Sequence, residues 1–150
     1  MQRSVISSID HFRPHSSNDR LLSVVHRGNT GKLEEKDYLE TTRFVDLLDA
    51  SEGHIRALTN PEANGQRLII NGGSVVWQDV FDILNANPVP GFDVPQGKVG
   101  IGKTFPWDQT VSAEKATKLL GMKYRPTEDT LRDLATQAVE LDWVNKVSAK

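Results

Sequence analysis

Between Asn87 and Asp108 the chain carries Pro88, Pro90, Pro95 and Pro106 together with four glycines. Proline removes a backbone donor and biases the residue before it away from the helical region, while glycine opens left-handed backbone. Neither a helix nor a strand can run through such a stretch. An ordered, irregular surface loop is predicted there, and the regular elements have to be placed on either side of it. At 150 residues the chain has the length of one domain, and a single core over residues 1–150 is expected.

Upstream of the loop, GGSVVWQDVFDILNAN carries the clearest helix signal. Gly72 and Gly73 read as a turn, Ser74 as an N-cap, and Val76, Val80, Phe81, Ile83 and Leu84 as the apolar face of a helix over about 75–86. QRLIIN before it reads as a strand. RFVDLLDASEGHIRAL opens as a brief strand around Phe44 and Val45, then spaces Leu48, Ser51, Ile55 and Leu58 at helical intervals until TNPEANG ends the helix. SSNDRLLSVVHRG places Leu21, Leu22, Val24 and Val25 behind a Ser or Asn cap and predicts one short helix that stops at Gly28. Downstream, SAEKATKLLGMKYRP predicts a two-turn helix capped by Ser112 and stopped at Gly121. The last segment starts at Pro126 and Thr127 and puts Leu131, Leu134, Ala135, Ala138 and Leu141 on one stripe of a long C-terminal helix.

Within the Pro/Gly loop, GKVGIGKT matches the phosphate-loop pattern G-x-x-x-x-G-K-[ST] from Gly97 to Thr104. The pattern works when a buried strand delivers it to a helix N-terminus, where free amides and the helix dipole meet phosphate. Both flanks are wrong here. NPVPGFDVPQ offers no apolar strand, FPWDQT puts Pro106 two residues after Thr104, and no later apolar run ends in an acid for magnesium. The match is read as coincidental.

The 18 basic and 20 acidic residues nearly cancel to a formal charge of −2, so no broad cationic surface for nucleic acid is indicated. With no cysteine there is no disulfide framework or thiolate nucleophile, which suits a reducing compartment. No apolar run is long enough to span a bilayer, and a soluble cytoplasmic protein is expected.

From about residue 44 onward the order and spacing of several segments resemble the C-terminal, substrate-side half of the extended short-chain dehydrogenases. The likeness is to their dihydroflavonol-reductase-like group of NADPH-dependent methylglyoxal reductase and ketoreductase type. FVDLLDASEGHIRAL is similar to that group's V-D-V-R-D-V-A-x-A-H segment, with Val45, Asp46, Asp49 and His54 matching. GQRLIINGGSVVWQDVFDILN resembles its G-Q-R strand followed by a Q-D helix, VPQGKVGIGKT its Pro/Gly loop, and KATKLLGMKYRPTEDTLRD its S-K-K-L-L-G segment. SSIDHFRPHSSNDRLLSVV extends the likeness into residues 1–42, which match less closely.

The resemblance implies an α/β fold: the helix-rich substrate lobe of an NAD(P)-binding Rossmann-type reductase, with two or three short strands and without the dinucleotide-binding half. In the family, hydride transfer rests on a glycine fingerprint and on a tyrosine whose pKa is lowered by a lysine four residues on. This sequence holds no such fingerprint, and Tyr38 and Tyr124 are followed at that spacing by Thr42 and Glu128. No catalytic residue is therefore assigned. The implied cofactor is NADPH, which the chain is not expected to bind alone. The implied partners are a small carbonyl compound and either a separate dinucleotide-binding chain or a second copy, with neither nucleic acid nor membrane among them. By the resemblance Ser17 matches a serine that approaches the nicotinamide cofactor, and Leu48 stands where the family has an arginine.

Other residues have structural readings. His54 is expected to hydrogen-bond or pack structurally, and Asp46 and Asp49 to favour a helix N-terminus. His11 and His15 have metal-like spacing, but Pro14 between them argues against one helical face, and no metal site is assigned. Trp77 and Trp143 read as core or interface aromatics, while Trp107, in the irregular loop, is the candidate for lining a ligand pocket. A lobe without its other half should expose an apolar patch. Two functional classes remain: an oxidoreductase-family lobe active only with a separate dinucleotide-binding chain, or a non-catalytic binding module that keeps the lobe as a scaffold.

Overall fold

The computed structural model describes residues 16–106 and 111–148. Seven helices are found there: α1 (Ser16–Asn29), α2 (Glu35–Tyr38), α3 (Leu47–Thr59), α4 (Trp77–Ala86), α5 (Glu114–Leu120), α6 (Thr127–Glu140) and α7 (Trp143–Ser148). Strands β1 (Thr41–Phe44) and β2 (Gly73–Val76) pair antiparallel, with Thr41 opposite Val76 and Phe44 opposite Gly73. Two 3₁₀ turns, Pro61–Ala63 and Ile101–Thr104, punctuate the connections. The architecture is the expected helix-rich α/β lobe. Among the described residues no helix is long and apolar enough to cross a membrane.

The core forms where α1, α4, α6 and α7 meet. Leu21, Leu22, Val24 and Val25 of α1, Val80, Phe81 and Leu84 of α4, Leu131, Ala135 and Ala138 of α6, and Trp143 all lie buried in one cluster. Removing each large apolar side chain from water stabilises the fold by roughly 1.5–3 kcal/mol. The small residues of α6 matter as much as the large ones, because Ala135 and Ala138 are fully buried and leave room for their neighbours. Trp77 and Trp143 are core aromatics as expected, each 3% exposed.

Several boundaries differ from the sequence reading, each for a local reason. QRLIIN is not in the sheet. The strand instead falls on Gly73–Val76, and α4 starts at Trp77 with Val76 as its N-cap, so Ser74 lies inside β2 rather than capping the helix. Asp79 closes that N-terminus by accepting from the Val76 amide at 3.5 Å. Helix α1 runs past Gly28 to Asn29, and the left-handed turn after it is at Gly31 (φ 68°). Gly28 serves packing instead, since a Cβ there would lie 2.4 Å from Pro95 Cγ. Ser112 accepts from the Glu114 amide at 3.2 Å, while Ala113 occupies the cap position of α5, and Gly121 (φ 62°) ends that helix as expected. The last helix does not run to the end of the chain. Leu141 closes α6, Asp142 takes φ 55°, and α7 begins at Trp143.

Candidate functional site

Three polar residues on one face of α4 hold the Pro/Gly loop. Gln78 is fully buried, yet its amide has every partner it needs. Nε2 donates to Asp82 Oδ1 at 2.8 Å and to the Gln96 carbonyl at 2.9 Å, and Oε1 accepts from the Lys98 amide at 2.7 Å. One turn on, Asp82 Oδ2 accepts from the Gly100 amide at 2.7 Å, and after another turn Asn85 donates to the Pro95 carbonyl at 3.1 Å. The spacing 78, 82, 85 is one helical face, so three successive turns of α4 grip three stretches of loop. Lys98 also reaches α2, pairing with Glu35 at 2.7 Å, and its ammonium holds the Glu35 carboxyl below the usual carboxylate range.

This clasp accounts for the glycines of GKVGIGKT. A Cβ at Gly97 (φ 59°) would lie 2.2 Å from Gln78 Oε1, and one at Gly102 would lie 2.0 Å from Asp79 Oδ1. Close approach of α4 excludes side chains at both positions. The amides of Lys98 and Gly100, which a phosphate would need, already donate to α4. After Gly100 the chain makes a single 3₁₀ turn and presents no α-helix N-terminus. The loop therefore does not fit the phosphates of a nucleoside triphosphate or the pyrophosphate of a dinucleotide. Beside it, burial pushes the Asp79 carboxyl above its usual range and the Asp82 charge pushes the same way, against the Val76 amide and Lys103.

A second polar cluster sits at the start of α3. Asp46 is its N-cap, accepting from the Leu48 amide at 2.8 Å and from the Thr130 hydroxyl at 3.2 Å. Asp49 goes beyond the capping role expected of it. It is 1% exposed, accepts the Arg125 amide at 2.9 Å, and forms an ion pair with the Arg125 guanidinium. Asp46 lies 3.7 Å from the same guanidinium. Arg125 thus ties the segment before α6 to the first turn of α3. The sequence reading gave Arg125 no role and met Gln78 only as the Q of the Q-D helix, with no contact assigned to either.

The ion pair turns α3 in a direction its apolar spacing does not suggest. Asp49 and Gly53 are its buried residues, and Arg56 on the same side donates to the carbonyls of Leu120 and Gly121 at 2.9 and 3.0 Å. Of the residues read at helical spacing, Ile55 is 63% and Leu58 87% exposed with Ser51 exposed between them, and Leu47, beside that stripe, is 69% exposed. Leu48 is half-buried. The helix presents its polar and small side inward and its apolar side to solvent, which is the exposed patch expected of a lobe that lacks a neighbour.

Of the other sequence candidates, several fall outside the described residues. Ser17 is the second residue of α1, and its side chain lies outside the described atoms. Trp107, His11 and His15 lie outside the described residues. His54 is exposed on α3 with Nδ1 2.7 Å from the Ala50 carbonyl, the structural bond anticipated for it. Tyr38 meets Phe81 edge-on, its ring centroid 6.2 Å away, and the Tyr124 hydroxyl is buried with no hydrogen-bond partner among the described residues.

No family model matches the chain. The sequence is 37% identical over 101 residues to the NADPH-dependent methylglyoxal reductase GRE2 of Saccharomyces cerevisiae, covering 66% of this chain and 30% of that protein. The fold matches the crystal structure of yeast methylglyoxal/isovaleraldehyde reductase Gre2 complexed with NADPH, with a TM-score of 0.62 at 30% identity over 81% of this chain and 39% of that one. The chain is a partial relative of these NADPH-dependent reductases. Gre2 from Candida albicans gives a TM-score of 0.66 at 25% identity, covering 86% of this chain and 38% of its own. The reductase-like lobe thus spans about a third of the length of the curated relatives it matches. Its order of segments fits their C-terminal, substrate-side part. The structures known with NADPH belong to those longer proteins.

Proposed function

We propose that the chain is the substrate-side lobe of an NADPH-dependent aldehyde or ketone reductase, inactive alone and completed by a separate dinucleotide-binding chain. One observation carries this reading: α3 turns Leu47, Ile55 and Leu58 outward in a chain that shares both sequence and fold with one part of a longer NADPH-dependent enzyme. An apolar helix face of that kind is stable in water only at a cost, and covering it is what a second half would do. The chemistry points the same way. No tyrosine in the sequence is followed four residues later by lysine, and the glycine loop has its amides engaged by α4. The lack of cysteine suits the reducing interior of a cell, so a cytoplasmic setting belongs to the same proposal.

The test is a thermal-shift titration of the purified chain with NADPH, paired with an assay of NADPH oxidation in the presence of methylglyoxal. Ligand at about 100 times its dissociation constant would stabilise the fold by roughly 2.7 kcal/mol, a readily measured shift for a chain of this size. Neither a shift nor oxidation is expected from the chain by itself. A shift with NADPH, or turnover without a second chain, overturns the proposal. Turnover that appears only when a dinucleotide-binding chain is added supports it. If no such chain restores turnover, the non-catalytic scaffold is the better account.

A further inference from the structure

Asn64–Gly65 and Asn71–Gly72 are the two Asn-Gly pairs of the sequence, and the fold holds them in opposite ways. Glycine has no Cβ to keep its backbone nitrogen away from the preceding side chain, so in such a pair that nitrogen can close a five-membered ring on the asparagine Cγ. Three local features govern the closure: whether the glycine amide is already hydrogen-bonded, whether the asparagine side chain is held, and whether the peptide plane between them can swing. Asn64–Gly65 is open on all three. Asn64 at φ −60°, ψ 128° and Gly65 at φ 69° make the corner of a type II turn, closed by the Gln66 amide donating to the Ala63 carbonyl at 3.0 Å. Both residues are exposed, and beyond the chain neighbours nothing lies within 4 Å of where a Gly65 Cβ would stand. Among the described residues neither the Gly65 amide nor the Asn64 side chain has a hydrogen-bond partner. Swinging the peptide plane costs one exposed turn bond. Asn71–Gly72 is closed on each count. The Gly72 amide donates to the Phe44 carbonyl at 2.8 Å, and the Asn71 side-chain nitrogen donates to the carbonyls of Gly73 and Phe44 at 3.0 and 3.1 Å. A Cβ at Gly72 would lie 3.4 Å from the Phe44 carbonyl oxygen and from Val45 Cα, so this peptide is anchored to the end of β1.

We infer that Asn64 is a site of spontaneous covalent modification, passing through a succinimide to aspartate and isoaspartate, and that Asn71 in the same dipeptide is protected by its place beside the sheet. In the first step the Gly65 nitrogen gives up its proton and bonds to Asn64 Cγ. The Cγ–Nδ2 bond breaks, and the side-chain nitrogen leaves with that proton as ammonia. Water then opens the ring at either carbonyl. Cleavage at Cγ leaves aspartate, and cleavage at the backbone carbonyl leaves isoaspartate, with the chain now running through the side-chain carbon. The sum is water in and ammonia out, with nothing oxidised or reduced. Either product adds one negative charge to a chain of formal charge −2, and isoaspartate lengthens the backbone in the turn between α3 and β2. Asn64 and Gly65 line the same open hollow as Leu58, so the new carboxylate arrives beside the outward apolar side of α3.

The experiment is prolonged incubation of the full chain in warm neutral buffer, then proteolysis and mass spectrometry with fragmentation that separates aspartate from isoaspartate. The peptide spanning Asn64 should exchange its amide for a carboxyl, with isoaspartate the larger product. Asn71 should convert at least about tenfold more slowly, because it has to wait for a local opening beside the sheet. In a parallel sample unfolded in urea the protection is gone, and the two sites should convert at similar rates. Gly65→Ala puts a Cβ on the attacking residue and should slow conversion at Asn64 about tenfold or more. The same slowing in the unfolded variant separates that steric effect from any strain the new side chain meets in the turn. Three results would overturn the inference: Asn64 intact in the folded chain, Asn71 converting there as fast as Asn64, or aspartate formed without isoaspartate, which would mean direct hydrolysis with no ring.

Discussion

Gln78→Leu tests whether α4 holds the loop in the way described. Leucine matches the buried volume closely, so packing changes little and the polar contacts are what is lost. Those contacts are the bonds to Asp82, Gln96 and Lys98. At about 1 kcal/mol net each, they amount to roughly 3 kcal/mol. The Lys98 amide and the Gln96 carbonyl would also face a leucine, and leaving each unsatisfied costs about 1–3 kcal/mol if the loop stays closed. Opening the loop to water relieves that penalty at the expense of the remaining contacts from Asp82 and Asn85. The expected loss is therefore about 3 kcal/mol, which lowers the urea midpoint by about 1–3 M given a slope of about 1–3 kcal/mol per M. Hydrogen exchange should report it first, as lost protection at Lys98 and Gly100 while α1 and α6 stay protected. A midpoint within about 0.3 M of the parent, with the Lys98 amide still protected, would mean that the loop is held by something other than Gln78.

Asp49→Ala leaves the Arg125 guanidinium with only the more distant Asp46, and because Arg125 is about one third exposed the cost should be about 2–3 kcal/mol rather than the larger penalty of a fully buried pair, read by urea unfolding. Asp79→Asn should raise the melting temperature at neutral pH by about 1–3 °C. The folded-state pKa of Asp79 lies above its unfolded value, so its ionisation costs stability as pH rises through the interval between the two. The variant should lose that pH dependence, and a parent whose stability is flat across the acid range would refute the assignment. Gly28→Ala, normally favourable inside a helix by roughly 1 kcal/mol, should instead destabilise by about 1–2 kcal/mol because Pro95 occupies the place of the new methyl group. Thermal denaturation decides the sign.

The helices were legible where one signal sufficed. Val80, Phe81 and Leu84 repeat at helical spacing and fill the core. Gly121 ends α5 because glycine alone accepts its left-handed backbone cheaply, and α6 begins at Thr127 directly after Pro126, which stands as its N-cap rather than inside the first turn. The failures share a physical cause. QRLIIN has the composition of a strand, but a strand exists only with a partner edge, and the described chain provides one to Gly73–Val76 instead. Ser74 has the right side chain for a cap, yet its backbone is held in that ladder, where it cannot turn into a helix. The loop was recognisable as irregular from its prolines and glycines. That it is clamped by Gln78, Asp82 and Asn85 was not, because hydrogen bonds across 18 or 20 residues leave no periodicity to read.

Helix α3 shows the limit most clearly. An apolar stripe at helical spacing states that a face is to be covered, but it does not state by what, and in most single domains the answer is the chain's own core. Here Asp49 settles the rotation, because its carboxylate can be buried only beside Arg125, 76 residues away, whose own amide and guanidinium both point at it. Turning α3 to bury Ile55 and Leu58 instead would expose the ion pair and push Gly53, which leaves Ile70 its seat, out of contact. The buried pair thus acts as an orienting device: it gives up apolar burial within the lobe in order to present Leu47, Ile55 and Leu58 outward. The lobe that shares sequence and fold with part of a longer reductase thus presents an apolar helix face that it does not itself cover.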